Sequence, residues 1–114
     1  MYEADFDADF DPGFDPGFDP GALAQLRADL DPPDFSDAVA LYLAEGDVLA
    51  ARMAHAPTPS DFHALKGVAL ALGLTRLAQV AGAGEAGADP KVTAPQIAAL
   101  WRDGRARLDQ EFGQ

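Results

Sequence analysis

Cysteine is absent from the 114 residues. That excludes a disulfide frame, a thiolate metal centre and a cysteine nucleophile together. Histidine occurs only twice, and two histidines without cysteine do not make a structural zinc site. β-Branched residues are few: Val39, Val48, Val68, Val80, Val92, Ile97 and a few threonines. Much of the 48% apolar fraction is Ala and Leu, so composition favours helix over strand and an all-α chain is expected. No run of about 18 apolar residues occurs, and the start is acidic where a signal peptide is basic. A soluble, cytoplasmic protein without a membrane span is the expectation. Bases are missing altogether from residues 1–21, which hold seven acids. The remainder holds twelve acids and eight bases, so only part of the net charge of −11 belongs to it. Neither part offers the basic stripe that phosphate backbones or anionic membranes require.

What is present divides into a leader, residues 1–17, and one small domain, residues 18–114. In the leader and its junction, Phe6, Phe10, Phe14 and Phe18 recur every four residues, each followed by Asp. Pro12-Gly13 and Pro16-Gly17 rule out a helix and suit type II turns. A disordered or irregular acidic segment is expected, or else a tail whose phenylalanines dock on the body or a partner. Asp5, Asp7 and Asp9 alternate like the start of a calcium loop. However, Phe10 and Pro16 stand where that loop needs Gly and Glu.

The body reads as a series of helices. Asp19-Pro20 starts the first, as an N-cap followed by proline, with Phe18 and Leu23 at staple spacing. Asp31-Pro32-Pro33 stops it. A second region runs from about residue 34 to 55, with Phe35, Val39, Tyr42, Leu49 and Met53 in phase and a possible kink or break at Gly46-Asp47. A third helix, capped by Thr58 or Ser60, ends at Gly73, and a fourth starts near Thr75. Thr93-Ala-Pro-Gln96 reads as a capping box opening the last helix, with Val92 and Ile97 as its staple. Its buried stripe runs through Leu100, Trp101, Leu108 and Phe112, and Arg102, Arg105 and Arg107 lie on the wet side. Four longer helices, each with one apolar face, bury those faces most simply as an antiparallel four-helix bundle with a short leading helix.

His63 lies in the third helix, with Lys66 at i+3 and Gly67 at i+4 on the same face. Phe62, Leu65, Ala69 and Leu72 occupy another face. His63 reads either as a core histidine bonded to a carbonyl or as a nucleophile. Three neighbours favour the second reading. Lys66 is a cation that resists burial without a partner. Gly67 costs about 1 kcal/mol in mid-helix relative to Ala, a cost that makes room for something. Leu70 extends the face as an apolar rim. A neutral imidazole nitrogen is a competent nucleophile at pH 7, and Lys66 can neutralise part of an acquired phosphoryl charge. Metal ligation lacks a partner at i+4 from His63, and Ser36 and Ser60 carry no nucleophile motif. If the third and fourth helices fold back about residue 74, His63 falls opposite Glu85. Glu85 then reads either as the acceptor for Nδ1–H of His63 or as a solvated glutamate at a helix end.

The segment His63-Ala-Leu-Lys66-Gly67-Val-Ala-Leu-Ala-Leu-Gly73-Leu resembles the signature of histidine phosphotransfer domains: His-x-Leu-Lys-Gly, small residues, then a Leu-Gly turn. Phe18-Asp19-Pro20, Leu49, Met53, Phe62, Leu77 and Ala78 extend the likeness over residues 18–112. The resemblance implies a helical bundle whose histidine takes a phosphoryl group from the aspartate of one receiver domain and passes it to another. His63 matches the phosphorylated histidine, Lys66 the charge-stabilising lysine, Gly67 the approach glycine and Glu85 the acid of the next helix. The sequence departs from the pattern at Val68, where Ser or Gly is common, and at Ala81 and Gly84, where larger Cys and Leu are usual. The resemblance further implies a monomeric carrier that is not itself an enzyme and has no cofactor. Its partners would be receiver domains of response regulators or hybrid histidine kinases, with Mg2+ held by the receiver. A non-phosphorylated module that docks a receiver or kinase is the alternative. A purely structural bundle would bury His63 and cover Gly67.

Overall fold

A computed structural model describes residues 17–111. The leader up to Pro16, and Phe112 of the expected apolar stripe, lie outside the described residues. Five helices follow in order: α1 (Pro20–Asp29), α2 (Pro32–Arg52), α3 (Pro59–Leu72), α4 (Thr75–Glu85) and α5 (Pro90–Glu111). No strand occurs among the described residues, so the fold is all-α.

One local device recurs. Four of the five helices open on proline, preceded by Asp19, Asp31, Thr58 or Asp89. Proline has no N–H to leave unsatisfied in the first turn, and its fixed φ suits helix entry. Asp19 accepts from the Gly21 amide at 2.9 Å. Thr58 and Asp61 form a reciprocal capping box, Asp61 N–H to Thr58 Oγ1 at 3.2 Å and Thr58 N–H to Asp61 Oδ2 at 3.0 Å. Arg52 of α2 also donates to Asp61, at 3.0 Å. These bonds hold the Asp61 carboxyl below its ordinary range, the Thr58 amide contributing most.

The structure corrects the sequence reading in four places. α1 does end before Asp31-Pro32-Pro33, but the two prolines already belong to α2, which ends at Arg52 and leaves His55 exposed beyond it. The last helix begins at Pro90, so Thr93 and Gln96 form no capping box. Thr93 is buried inside the helix, with its hydroxyl donating to the Asp89 carbonyl, and Val92 is exposed. The helix continues through Pro95, which is exposed. Finally, α2 runs unbroken through Gly46-Asp47. A Cβ at Gly46 would collide with the Trp101 ring of α5. Trp101 Nε1 donates to Asp47 Oδ1 at 2.8 Å, and Arg105 donates to the same carboxylate and to Asp109. Gly46 and Asp47 are therefore the seat of an α5 side chain. Nor are the α5 arginines simply wet: Arg105 is held as described, and the Arg107 guanidinium lies 4.4 Å from the centre of the Phe18 ring.

The α3–α4 turn sets the register on which the candidate site depends. Gly73 has φ of 79°, and the bonds Leu74 N–H to Ala69 O and Gly73 N–H to Leu70 O close a Schellman motif. The Asp19 N–H donates to the Gly73 carbonyl at 2.6 Å, which fastens the start of α1 to this turn. α3 packs on α1, α2 and α4, and α5 packs on α2 and α4. The core between them is centred on Phe62, Leu65, Leu72, Leu77, Ile97 and Leu108, all less than 2% exposed. Burying each such side chain contributes about 1.5–3 kcal/mol.

Candidate functional site

α3 divides as its sequence requires. Phe62, Leu65, Val68, Ala69 and Leu72 are buried, while His63, Gly67 and Leu70 are exposed. His63 stands just beyond the first turn of α3, where the capping box fixes the backbone. α4 folds back from Gly73-Leu74 and brings Glu85, at its C-terminal end, alongside.

Three of the four sequence-derived residues meet, and the fourth, Gly67, lies exposed next to Lys66 on α3. His63 Nδ1 lies 2.7 Å from Glu85 Oε2, and Lys66 Nζ lies 3.0 Å from Glu85 Oε1. The Glu85 carboxyl is held below its ordinary value of 4.5 by the Lys66 hydrogen bond first and the His63 hydrogen bond second. An ionised carboxylate only accepts, so the bond to His63 requires the proton on Nδ1. Nε2 is then the nitrogen left with a lone pair. The His63 side chain is 70% exposed, against 30% for Glu85. A Cβ added at Gly67 would meet nothing within 4 Å. The arrangement is an accessible imidazole with a defined tautomer, an ammonium within its carboxylate's reach and open helix surface beside it. An exposed His63 and an uncovered Gly67 are the opposite of what a purely structural bundle predicts.

The departures at Ala81 and Gly84 have a packing cause. Ala81 is fully buried. A Cβ at Gly84 would stand 2.5 Å from the Phe62 ring. The large Phe62 thus fills the space of a side chain at 84 and draws the end of α4 against α3. Val68 is buried and faces away from the open surface. Gly82 has a related role: a Cβ there would approach Lys66 Cδ at 3.4 Å, so the lysine stem runs over it toward Glu85.

Sequence reasoning missed the contributions of Asp61 and Arg52, which position the start of α3. The signal was present, since Thr58-Pro-Ser-Asp61 places an acid three residues after a threonine cap. No cluster of three or more metal-ligating side chains occurs among the described residues, and no described helix is long and apolar enough to cross a membrane. Comparisons with protein-family models, curated proteins and solved structures return no match to this chain.

Proposed function

We propose that this chain is a phosphocarrier of the histidine phosphotransfer type, which accepts a phosphoryl group on Nε2 of His63 from a receiver-domain aspartate and returns it to another. The observation that carries the reading is the bond between His63 Nδ1 and Glu85 on a histidine otherwise open to solvent. The lone pair of Nε2 attacks phosphorus, an N–P bond forms, and the P–O bond to the aspartate breaks, releasing its carboxylate. The imidazole ring gains a positive charge, because its Nδ1 proton stays in place. Glu85, held ionised, stabilises that charge. Lys66 is engaged by Glu85 in the resting chain; its flexible stem lets the ammonium turn to the phosphoryl oxygens once they arrive. Gly67 leaves the approach clear for a receiver.

In this reading residues 18–114 form the carrier domain, and α2 to α5 are an antiparallel four-helix bundle with α1 as its leading helix. The ring of contacts α2–α3, α3–α4, α4–α5 and α5–α2 supports it. Mg2+, which the exchange needs, belongs to the receiver, so the carrier requires no cofactor of its own. A cytoplasmic location follows from the partners proposed.

The test is incubation with radiolabelled, phosphorylated receiver domains. Label that survives base and is lost in acid marks phosphohistidine, and it should be absent in His63→Gln. Transfer of label to the His63→Gln protein would refute the assignment. Binding of the receiver by the wild-type chain without label would make the chain a docking module instead.

A further inference from the structure

The leader joins the domain at a groove that neither the core nor the His63 cluster uses. This groove, of about 610 Å3, lies between the start of α4 and the second half of α5, and Gly17 and Phe18 form part of its wall. Leu77 and Leu100 give it an apolar floor, and Arg76 and Arg107 give it two cations. Asp103 is the one acid among the described residues that line it, and Arg102 lies 3.5 Å from that carboxylate. Arg76 is exposed, is the only base of α4 and pairs with no described acid. The groove is thus positive on balance, in a domain that holds more acids than bases.

The last copy of the Phe-Asp repeat is already seated beside it. Phe18 is 7% exposed, and the Arg107 guanidinium lies over its ring. Residues 1–16 carry three further copies, at Phe6, Phe10 and Phe14, with six acids and no base. Phe14-Asp15 is the copy nearest the groove. Phe14 stands four residues before Phe18, so the chain spans at most about 14 Å between them. Gly17 lies in a turn. A turn through Pro16-Gly17 keeps the Cα atoms of Asp15 and Phe18 within about 7 Å. Ordering a chain costs entropy residue by residue. Only Phe14, Asp15 and Pro16 must be ordered to seat this copy, and the ring of Pro16 already fixes its φ. Seating Phe10 or Phe6 instead orders four or eight residues more.

We infer that the leader docks on its own domain in this groove, with the Phe14 ring against Leu77 and Leu100 and the Asp15 carboxylate on Arg76. Arg76 stands nine residues before Glu85, about 14 Å along α4, so the docked segment leaves the His63 cluster open. The inference does not depend on phosphoryl transfer, and its test reads only stability and association.

Phe14 and Asp15 precede every described helix, so replacing them disturbs the stability of the domain only through docking. The test is urea unfolding of the full chain, followed by the emission of Trp101. Phe14→Ser should raise the unfolding constant about fivefold, the scale of a half-buried ring. Phe6→Ser should leave it unchanged. Asp15→Lys and Arg76→Glu form a double-variant cycle, which cancels whatever Arg76→Glu does to α4 alone. At about 0.05 M salt the unfolding constant of the double variant should fall at least about threefold below the product of the two single effects. In about 1 M salt that coupling should fade. Sedimentation should give the same monomer for the wild-type chain and for Phe14→Ser. Three results would each overturn the inference. One is an equal unfolding constant for Phe14→Ser and Phe6→Ser. Another is single effects that simply multiply in the double variant. The third is a concentration-dependent dimer that Phe14→Ser abolishes, which would seat the leader on a second copy.

Discussion

Glu85 serves two cations at once, one through each carboxylate oxygen, and in the proposed carrier this sharing governs reactivity. Glu85→Gln keeps an acceptor for Nδ1–H but removes the negative charge opposite the ring. Phosphoryl acceptance should slow by about tenfold, a modest factor because the pair is partly solvated, and single-turnover labelling would measure it. Gly67 predicts a divergence between stability and function. A methyl there meets nothing, so Gly67→Ala should raise stability by about 1 kcal/mol in denaturant unfolding. The same methyl intrudes on the receiver's approach and should lower the transfer rate. A variant both more stable and equally fast would remove Gly67 from the mechanism. His63, Lys66 and Gly67 were legible in sequence because their oddity is local, a lysine and a glycine on one face of an apolar helix, whereas Glu85 came only from folding the third and fourth helices back about residue 74. Why Gly84 stands before Glu85 was not legible, because the reason is a ring on another helix.

At the scale of the element, helix interiors were easier to read than helix starts. The apolar stripes of α2, α3 and α5 carry the core as their periodicity requires, Phe35, Leu65 and Ile97 among them. Four of the five starts follow one rule, an Asp or Thr before proline. That rule was read at Asp19-Pro20 but not at Asp31-Pro32, where a second proline resembled a stop, nor at Asp89-Pro90, where Thr93-Gln96 offered a competing box. Gly46 misled for a different reason. A glycine next to an aspartate resembles a break until Trp101, far away in sequence, is seen to need both. Gly46→Ala should therefore destabilise the fold by about 1–3 kcal/mol through overpacking. It should also shift the emission of Trp101, the only tryptophan in the chain, as the ring leaves the Asp47 carboxylate. Unchanged emission would show that the ring accommodates the methyl in place.

The whole molecule gains an acid limit from two carboxylates that join its elements. Asp61 ties α2 to the start of α3, and Glu85 ties the end of α4 back to α3. Both are held below their ordinary values, 3.8 and 4.5. A depressed carboxyl stabilises the folded state fully above its unfolded pKa, and that contribution disappears as pH falls through the lower folded pKa. Stability should thus be level, as far as these groups are concerned, above about pH 5 and should decline below it. Asp61→Asn should flatten part of the decline, which a series of denaturant titrations across pH would measure.

The bond from the Asp19 amide to the Gly73 carbonyl has a consequence for observing this protein. An amide just before a first helix ordinarily exchanges its hydrogen with water quickly, since nothing in its own helix accepts it. Here that proton is shielded by the very turn that sets His63 opposite Glu85. Its exchange rate, followed as a single nuclear magnetic resonance signal, should report how often the hairpin opens. It does so from outside the candidate site, where a labelled phosphoryl group or a bound receiver would not obscure the signal.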